Sequence, residues 1–177
     1  MIIRKATMEE RDALQQLIAE SARELSREYY SDAQVEAAIA TVFGVDTTLI
    51  EDGTYFVVES DGELAGCGGW SKRKTLFGGD QYSSRDTGYI DPETEPAKIR
   101  AFFIHPDHAR KGVARAILSR CEDEARAQGY RALELLSTLP GIEFYKSCGF
   151  VETGTLTLDL TDSVTLDFVP MRKELNR

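Results

Sequence analysis

HPDHARKGVARAIL, residues 105–118, decides the fold. Before it, KIRAFFIHP (98–106) reads as a buried strand ended by Pro106. After it, Val113, Ile117, Cys121 and Ala125 recur every fourth residue, so a helix runs from about Gly112 to Gln128 and stops at Gly129. The helix opens on Arg110, Lys111 and Arg115. Unpaired N–H groups give a helix start partial positive charge, and cations there are disfavoured by about 0.3–1 kcal/mol each. An anion at this turn would resolve the conflict. The N–H groups could donate to a phosphate, and Gly112, lacking a Cβ, would let it approach the backbone. The alternative is a solvent-exposed basic turn in which the glycine supplies flexibility. The stretch is neither a Walker loop nor a dinucleotide fingerprint, because GxxxxGK[ST] and GxGxxG are both missing.

Working outward, MIIRK reads as a first strand, and Thr7 with Glu10 forms a capping box ahead of the stripe Leu14, Leu17, Ile18 and Leu25. Ser31 with Gln34 caps a second helix that Gly44 stops. TYFVVES, the Asp61–Gly62 turn and ELAGCGGW read as a β-hairpin, with the glycines at 66–69 marking close packing or a bulge. YRALELLST is a further strand and PGIEFYKSCG a short helix; two strands lie near FVETGTLTLDL and VTLDFVPMRKEL. Residues 71–96 show no period and read as an excursion that is either functional or plain. Residues 1–177 thus form one domain, in the order β-α-α-β-β-β-α-β-α-β-β.

Of 21 Lys/Arg and 30 Asp/Glu, residues 1–70 hold 5 and 14, so the whole excess of −9 lies there. That distribution argues against nucleic-acid binding and leaves either a solvated face or a cationic partner. No apolar run spans a membrane or forms a signal-peptide core, so a cytoplasmic location is expected. Cys67, Cys121 and Cys148 are odd in number and far apart, which fits a reducing compartment and neither a disulfide framework nor a metal site.

FFIHPDHARKGVARAIL resembles the acetyl-CoA-binding segment of the GCN5-related N-acetyltransferases: a strand, then [RQ]-x-x-G-x-[GA], then a helix. GIEFYKSCGF resembles the family's later helix bearing a tyrosine before Gly-Phe. Ala109 stands where the family often has Arg or Gln, and Arg110 stands beside it as a replacement. The resemblance implies a mixed, twisted, mostly antiparallel α/β sheet of about six to seven strands, with strands 4 and 5 splayed and four flanking helices. It implies acetyl-CoA as co-substrate, no metal, and binding through Phe103, Ile104, Arg110, Lys111, Gly112, Val113, Ala114 and Arg115. Direct attack by an amine is implied, with Tyr145 protonating the departing thiolate and Cys148 only packing. Without the resemblance, Tyr145 is an amphipathic aromatic near the core.

No carboxylate on IRAFFI can serve as general base; Glu28, Tyr29, Tyr30 and a water relay remain open. His105 and His108 are expected as exposed loop residues. The acidic first part suggests a small cationic amine as acceptor, with Trp70, Phe77, Tyr82 and Tyr89 forming a lid or wall. The rivals are acetylation of a protein N-terminus or lysine, and a non-catalytic CoA-binding domain. The resemblance also allows a homodimer.

Overall fold

The computed structural model describes residues 1–176. Strand β1 (Ile2–Lys5) leads through one 3-10 turn to α1 (Arg11–Leu25), α2 (Asp32–Thr41) and α3 (Thr47–Glu51). The hairpin β2 (Tyr55–Ser60) and β3 (Glu63–Ser71) follows, then β4 (Ala97–Ile104), α4 (Val113–Ala127), β5 (Ala132–Thr138) and α5 (Ile142–Ser147). The chain closes on β6 (Val151–Glu152), β7 (Leu156–Asp159) and β8 (Thr165–Glu174). One sheet runs β1-β2-β3-β4-β5-β8-β6, with β7 beside β8. Its pairs are antiparallel except β4–β5, which is parallel. The sheet is the expected mixed, mostly antiparallel one, with eight strands rather than six or seven.

Both predicted capping boxes form. The Thr7 N–H donates to Glu10 Oε1 at 2.9 Å, and the Gln34 N–H donates to Ser31 Oγ at 3.1 Å. Each satisfies a donor that helix geometry orphans. One short helix was not predicted. In α3, Asp46 accepts from the Thr48 N–H at 3.0 Å, but five residues carry no readable period.

Two cores lie on opposite faces of the sheet. Val113, Ile117, Cys121 and Tyr145 from α4 and α5 pack with Phe56, Trp70, Leu133 and Phe150 on one. Leu14, Leu17, Ile18, Val35 and Ala38 from α1 and α2 pack with Tyr55, Val57, Cys67 and Phe168 on the other. Burying each such side chain contributes about 1.5–3 kcal/mol, which drives the layering.

One irregularity positions everything functional. Cys67 pairs with Phe103 and Gly69 with Arg100, so β4 carries an extra residue there. Ala101 takes up the bulge at φ +54°, and Tyr55 donates its hydroxyl to the Ala101 carbonyl at 2.8 Å. A bulge bends its strand and ends regular pairing. Accordingly β4 and β5 pair only at Ala97–Leu133 and Lys98–Glu134, then separate. The hairpin glycines permit this crowding. A Cβ on Gly68 would fall 2.6 Å from the Phe102 ring, and one on Gly69 would fall 2.3 Å from the Thr54 carbonyl.

Segment 71–96 is an excursion tied down at several points. Arg73 pairs with Asp52 at 2.7 Å and lies 4.4 Å from the centre of the Tyr89 ring. Arg85 pairs with Asp46 at 2.6 Å, and Arg100 donates to the Gly78 carbonyl at 2.8 Å. None of these long-range partners is visible in local sequence.

Candidate active site

The gap between β4 and β5 opens into a cleft of about 960 Å³ that reaches both faces of the sheet. At its α4 end lies the Arg110–Arg115 turn. Arg110 and Gly112 both adopt left-handed conformations, at φ +61° and +85°. Gly112 caps α4, and a Cβ there would meet nothing within 4 Å, so the glycine answers the backbone angle and not crowding. The first N–H satisfied by the helix is that of Ala116, bonded to the Gly112 carbonyl at 3.0 Å. Among the described residues, the N–H groups of residues 110–115 make no hydrogen bond within the protein. Arg110 and Lys111 are exposed and lack ion-pair partners among the described residues, while Arg115 donates to Ser147 Oγ at 3.1 Å. A non-glycine residue held at positive φ beside unpaired donors is the kind of strain that marks a binding turn.

Tyr145 lies on α5, buried between Phe102, Phe144 and Phe150, with ring centroids 6.3, 5.1 and 5.6 Å away. It lines the cleft, and its hydroxyl makes no hydrogen bond among the described residues. Burial, reinforced by nearby Cys121 and Cys148, pushes the phenol pKa well above its usual value, so it stays protonated. Cys148 packs against the same cluster, and among the described residues its thiol bonds only to Ser147 Oγ, at 3.8 Å.

Phe103 and Ile104 stand on the free edge of β4, both partly exposed to the cleft. They differ in what they offer. The Phe103 carbonyl lies on the β3 side, against Gly66. The Ile104 N–H turns away from β3 and donates to Ser21 Oγ on α1 at 3.2 Å. Ser21 was not predicted, because a single serine on the apolar face of a helix carries no sequence signal.

Three expectations are corrected. His108 is buried, and His105 is half-buried, because the turn led by Pro106 folds both rings back towards α1 and β3. Of the four aromatics proposed as a wall, only Phe77 lines the cleft, with Tyr82 behind it. Trp70 is a core residue donating to Glu124 at 3.0 Å, and Tyr89 lies under Arg73. The acidic excess does not gather at the cleft either. Glu10 and Glu59 pair with Arg4, Glu36 with Arg23, Asp52 with Arg73 and Asp46 with two arginines. Of the acidic residues in the first seventy, Glu28 alone lines the cleft.

Among the base candidates, Tyr30 is committed to structure. Its hydroxyl donates to the Asp167 carbonyl at 2.6 Å and accepts from the Leu139 N–H at 2.9 Å. Burial pushes its pKa to about 12, the wrong direction for a base near neutrality. Glu28 and Tyr29 sit at the rim. No group of three or more His, Cys, Asp or Glu among the described residues is placed to hold a metal, and no described helix is long and apolar enough to cross a membrane.

Known proteins share this fold. A crystallised GCN5-related N-acetyltransferase from Rhodopseudomonas palustris superposes with a TM-score of 0.74, covering 98% of this chain and 95% of that one at 18% identity. The PaiA N-acetyltransferase of Thermoplasma acidophilum, solved in complex with coenzyme A, gives 0.66, with 98% of each chain covered at 17% identity. At these identities the likeness shows the fold. The L-amino acid N-acyltransferase MnaT of Escherichia coli is 29% identical over 118 residues, spanning 56% of this chain and 63% of that protein's length. The acetyltransferase (GNAT) family model matches residues 12–150, from the start of α1 to the end of the Tyr145 helix turn. The chain therefore belongs to the acetyltransferase (GNAT) family.

Proposed function

We propose that residues 1–177 form a single acetyl-CoA-dependent N-acetyltransferase domain acting on a small amine. The observation that carries this reading is the run of unpaired N–H groups at residues 110–115, set at the mouth of the β4–β5 gap with Arg110, Lys111 and Arg115 around it. Such a turn binds a pyrophosphate through backbone donors and neighbouring cations. Ala109 removes one side chain the family often has here, but the backbone donors are unaffected. The family match, the acyltransferase relative and the coenzyme A complex of a structural neighbour support the same reading.

Acetyl-CoA supplies an acyl group activated as a thioester. The Ile104 N–H on the free edge of β4 holds the donor's arm and orients its carbonyl, with the Phe103 side chain beside it. Ser21 satisfies the Ile104 N–H while the edge is free. Tyr145, kept protonated by burial, donates its phenolic proton to the departing sulfur. The amine arrives as an ammonium ion and loses protons to water at the rim, near Glu28. We take a small acceptor over a protein segment, with Leu76–Gly79, held through Arg100 and Gly78, lining the cleft on the α2 side.

Thiol release in the presence of an amine tests the reading; acetyl-CoA binding with no release from any amine would leave a binding domain only. Tyr145→Phe is expected to lower kcat about tenfold or more with acetyl-CoA affinity unchanged. Unchanged kcat would remove Tyr145 from the reaction. The pH profile carries a further expectation. Because the phenol pKa is raised, activity should climb with pH as the amine deprotonates, with no fall from loss of the Tyr145 proton up to pH ~10. A falling limb near pH 8–9 that Tyr145→Phe abolishes would contradict this.

A further inference from the structure

The cleft wall on the α1–α2 face restricts what the amine can be attached to. Phe43, Phe77, Phe103 and Phe168 line it, with Val42 and Leu25. Phe43 meets Phe103 and Phe168 edge-on, at centroid distances of 5.6 and 6.4 Å, so the rings form a fixed surface and not a loose cluster. Phe77 is braced from behind by Tyr82 at 5.1 Å. At the mouth, Leu25 is 37% exposed and Tyr29 52% exposed. Four phenylalanines with aliphatic neighbours thus run from floor to rim, interrupted by the hydroxyls of Ser21 and Ser26.

Its charges are few. Glu28 at the rim is the one carboxylate on this wall among the described residues, since Glu143 belongs to α5 at the other end. Among the described residues Arg100 is the one arginine or lysine reaching this wall, and His108, which also lines the cleft, faces Glu63 on β3 at 3.5 Å. Arg100 Nη2 pairs with Asp46 at 3.2 Å and donates to the Gly78 carbonyl at 2.8 Å, while Nη1 has no hydrogen-bond partner but is sealed from the cleft's solvent. Arg110 and Arg115 lie by the unpaired turn on the α4 side. A carboxylate on the acceptor would lose its hydration here and reach no solvent-accessible arginine or lysine on this wall, and a polyamine would bring charges that a single Glu28 cannot match.

We propose that the acceptor is a primary amine with one positive charge, an aromatic or bulky apolar body and no carboxylate. The inference rests on the acetyltransferase reading and names its substrate class. In the step, the neutral amine nitrogen bonds to the acyl carbon and the carbon–sulfur bond breaks. The nitrogen loses one proton to water, the sulfur gains one from Tyr145, and Tyr145 recovers its proton from water, so the protons balance.

The test compares 2-phenylethylamine, phenylalanine and spermidine by kcat/KM for thiol release. It also measures binding of each amine to the CoA complex by ligand-observed NMR, where no turnover occurs. Phenylethylamine is expected to exceed both others by about tenfold or more, as differences of a few apolar groups or one unmatched charge allow. Phe77→Ala should lower kcat/KM for phenylethylamine about tenfold while leaving the KM for acetyl-CoA unchanged. Phe77→Leu, which keeps an apolar filler on the loop, should recover part of that loss. Equal or better use of phenylalanine or spermidine, or an unaffected Phe77→Ala, overturns the proposal. If no amine releases thiol, the acetyltransferase reading fails. The NMR ranking then still decides the class, and phenylethylamine that neither binds nor outranks the others rejects it.

Discussion

Gly112→Asp should weaken acetyl-CoA binding by about 100-fold or more while the protein stays folded. Aspartate tolerates the left-handed backbone better than most residues, and a Cβ at position 112 meets nothing within 4 Å, so the change adds no clash and a backbone strain of about 1 kcal/mol, which Gly112→Asn shares. What the substitution adds is a negative charge against the proposed pyrophosphate. Two like unit charges about 4 Å apart repel by about 4 kcal/mol at a near-surface dielectric, which is more than two decades in affinity. Gly112→Asn keeps shape and backbone preference without the charge, and should lose about tenfold or less. Calorimetric titration of the two variants separates charge from shape. Equal affinities for Gly112→Asp and the wild type would place the anion elsewhere.

Asp46→Ala should be the most damaging single change to stability. Asp46 is 2% exposed and faces Arg85 at 2.6 Å and Arg100 at 3.2 Å. Burial already pulls the Arg100 pKa below its usual value, against the attraction of Asp46. Removing the carboxylate leaves the buried Arg100 guanidinium uncompensated and Arg85 with only Asp80 at 3.8 Å, which costs about 3–5 kcal/mol. For a chain of this size that lowers Tm by about 6–20 °C. Segment 76–81 should loosen first, because Arg100 holds Gly78 and Asp80 accepts from the Thr47 N–H at 2.9 Å. Limited proteolysis should therefore nick the variant within 71–96. Asp46→Asn, which retains an oxygen for the Thr48 N–H, should fall between. A Tm within 2 °C of wild type for Asp46→Ala would show that these arginines find other partners.

The legible parts of this fold are those whose cause is local. Thr7 with Glu10 and Ser31 with Gln34 satisfy nearby backbone groups, so spacing alone marks them. Gly112 and Gly129 mark the ends of α4 because both stand at positive φ. The splay of β4 and β5 came from family resemblance, because its physical cause, a bulge at Ala101, is hidden in a residue type with no preference for φ +54°. The final strands were legible as apolar runs, but their division into β6 and β7 was not. Opposite the break, the Pro170 carbonyl accepts from the Thr153 N–H, while its own nitrogen has nothing to donate.

The site divides in the same way. The Arg110–Arg115 turn is contiguous, and its unfavourable charges betray it. The acceptor wall is assembled from Phe43, Phe77, Phe103 and Phe168, which are far apart in the chain and individually ordinary. The acidic first part misled for the opposite reason. Charge totals are local, but the arginines that pair with Asp46 and Asp52 come from positions 73, 85 and 100.

Hydrogen exchange with and without saturating acetyl-CoA tests the central claim directly. The amides of residues 111–115 and of Ile104 should slow markedly when the ligand is present, with the far strands β6 and β7 unchanged. A folded protein whose 111–115 amides exchange equally fast in both conditions would contradict the account.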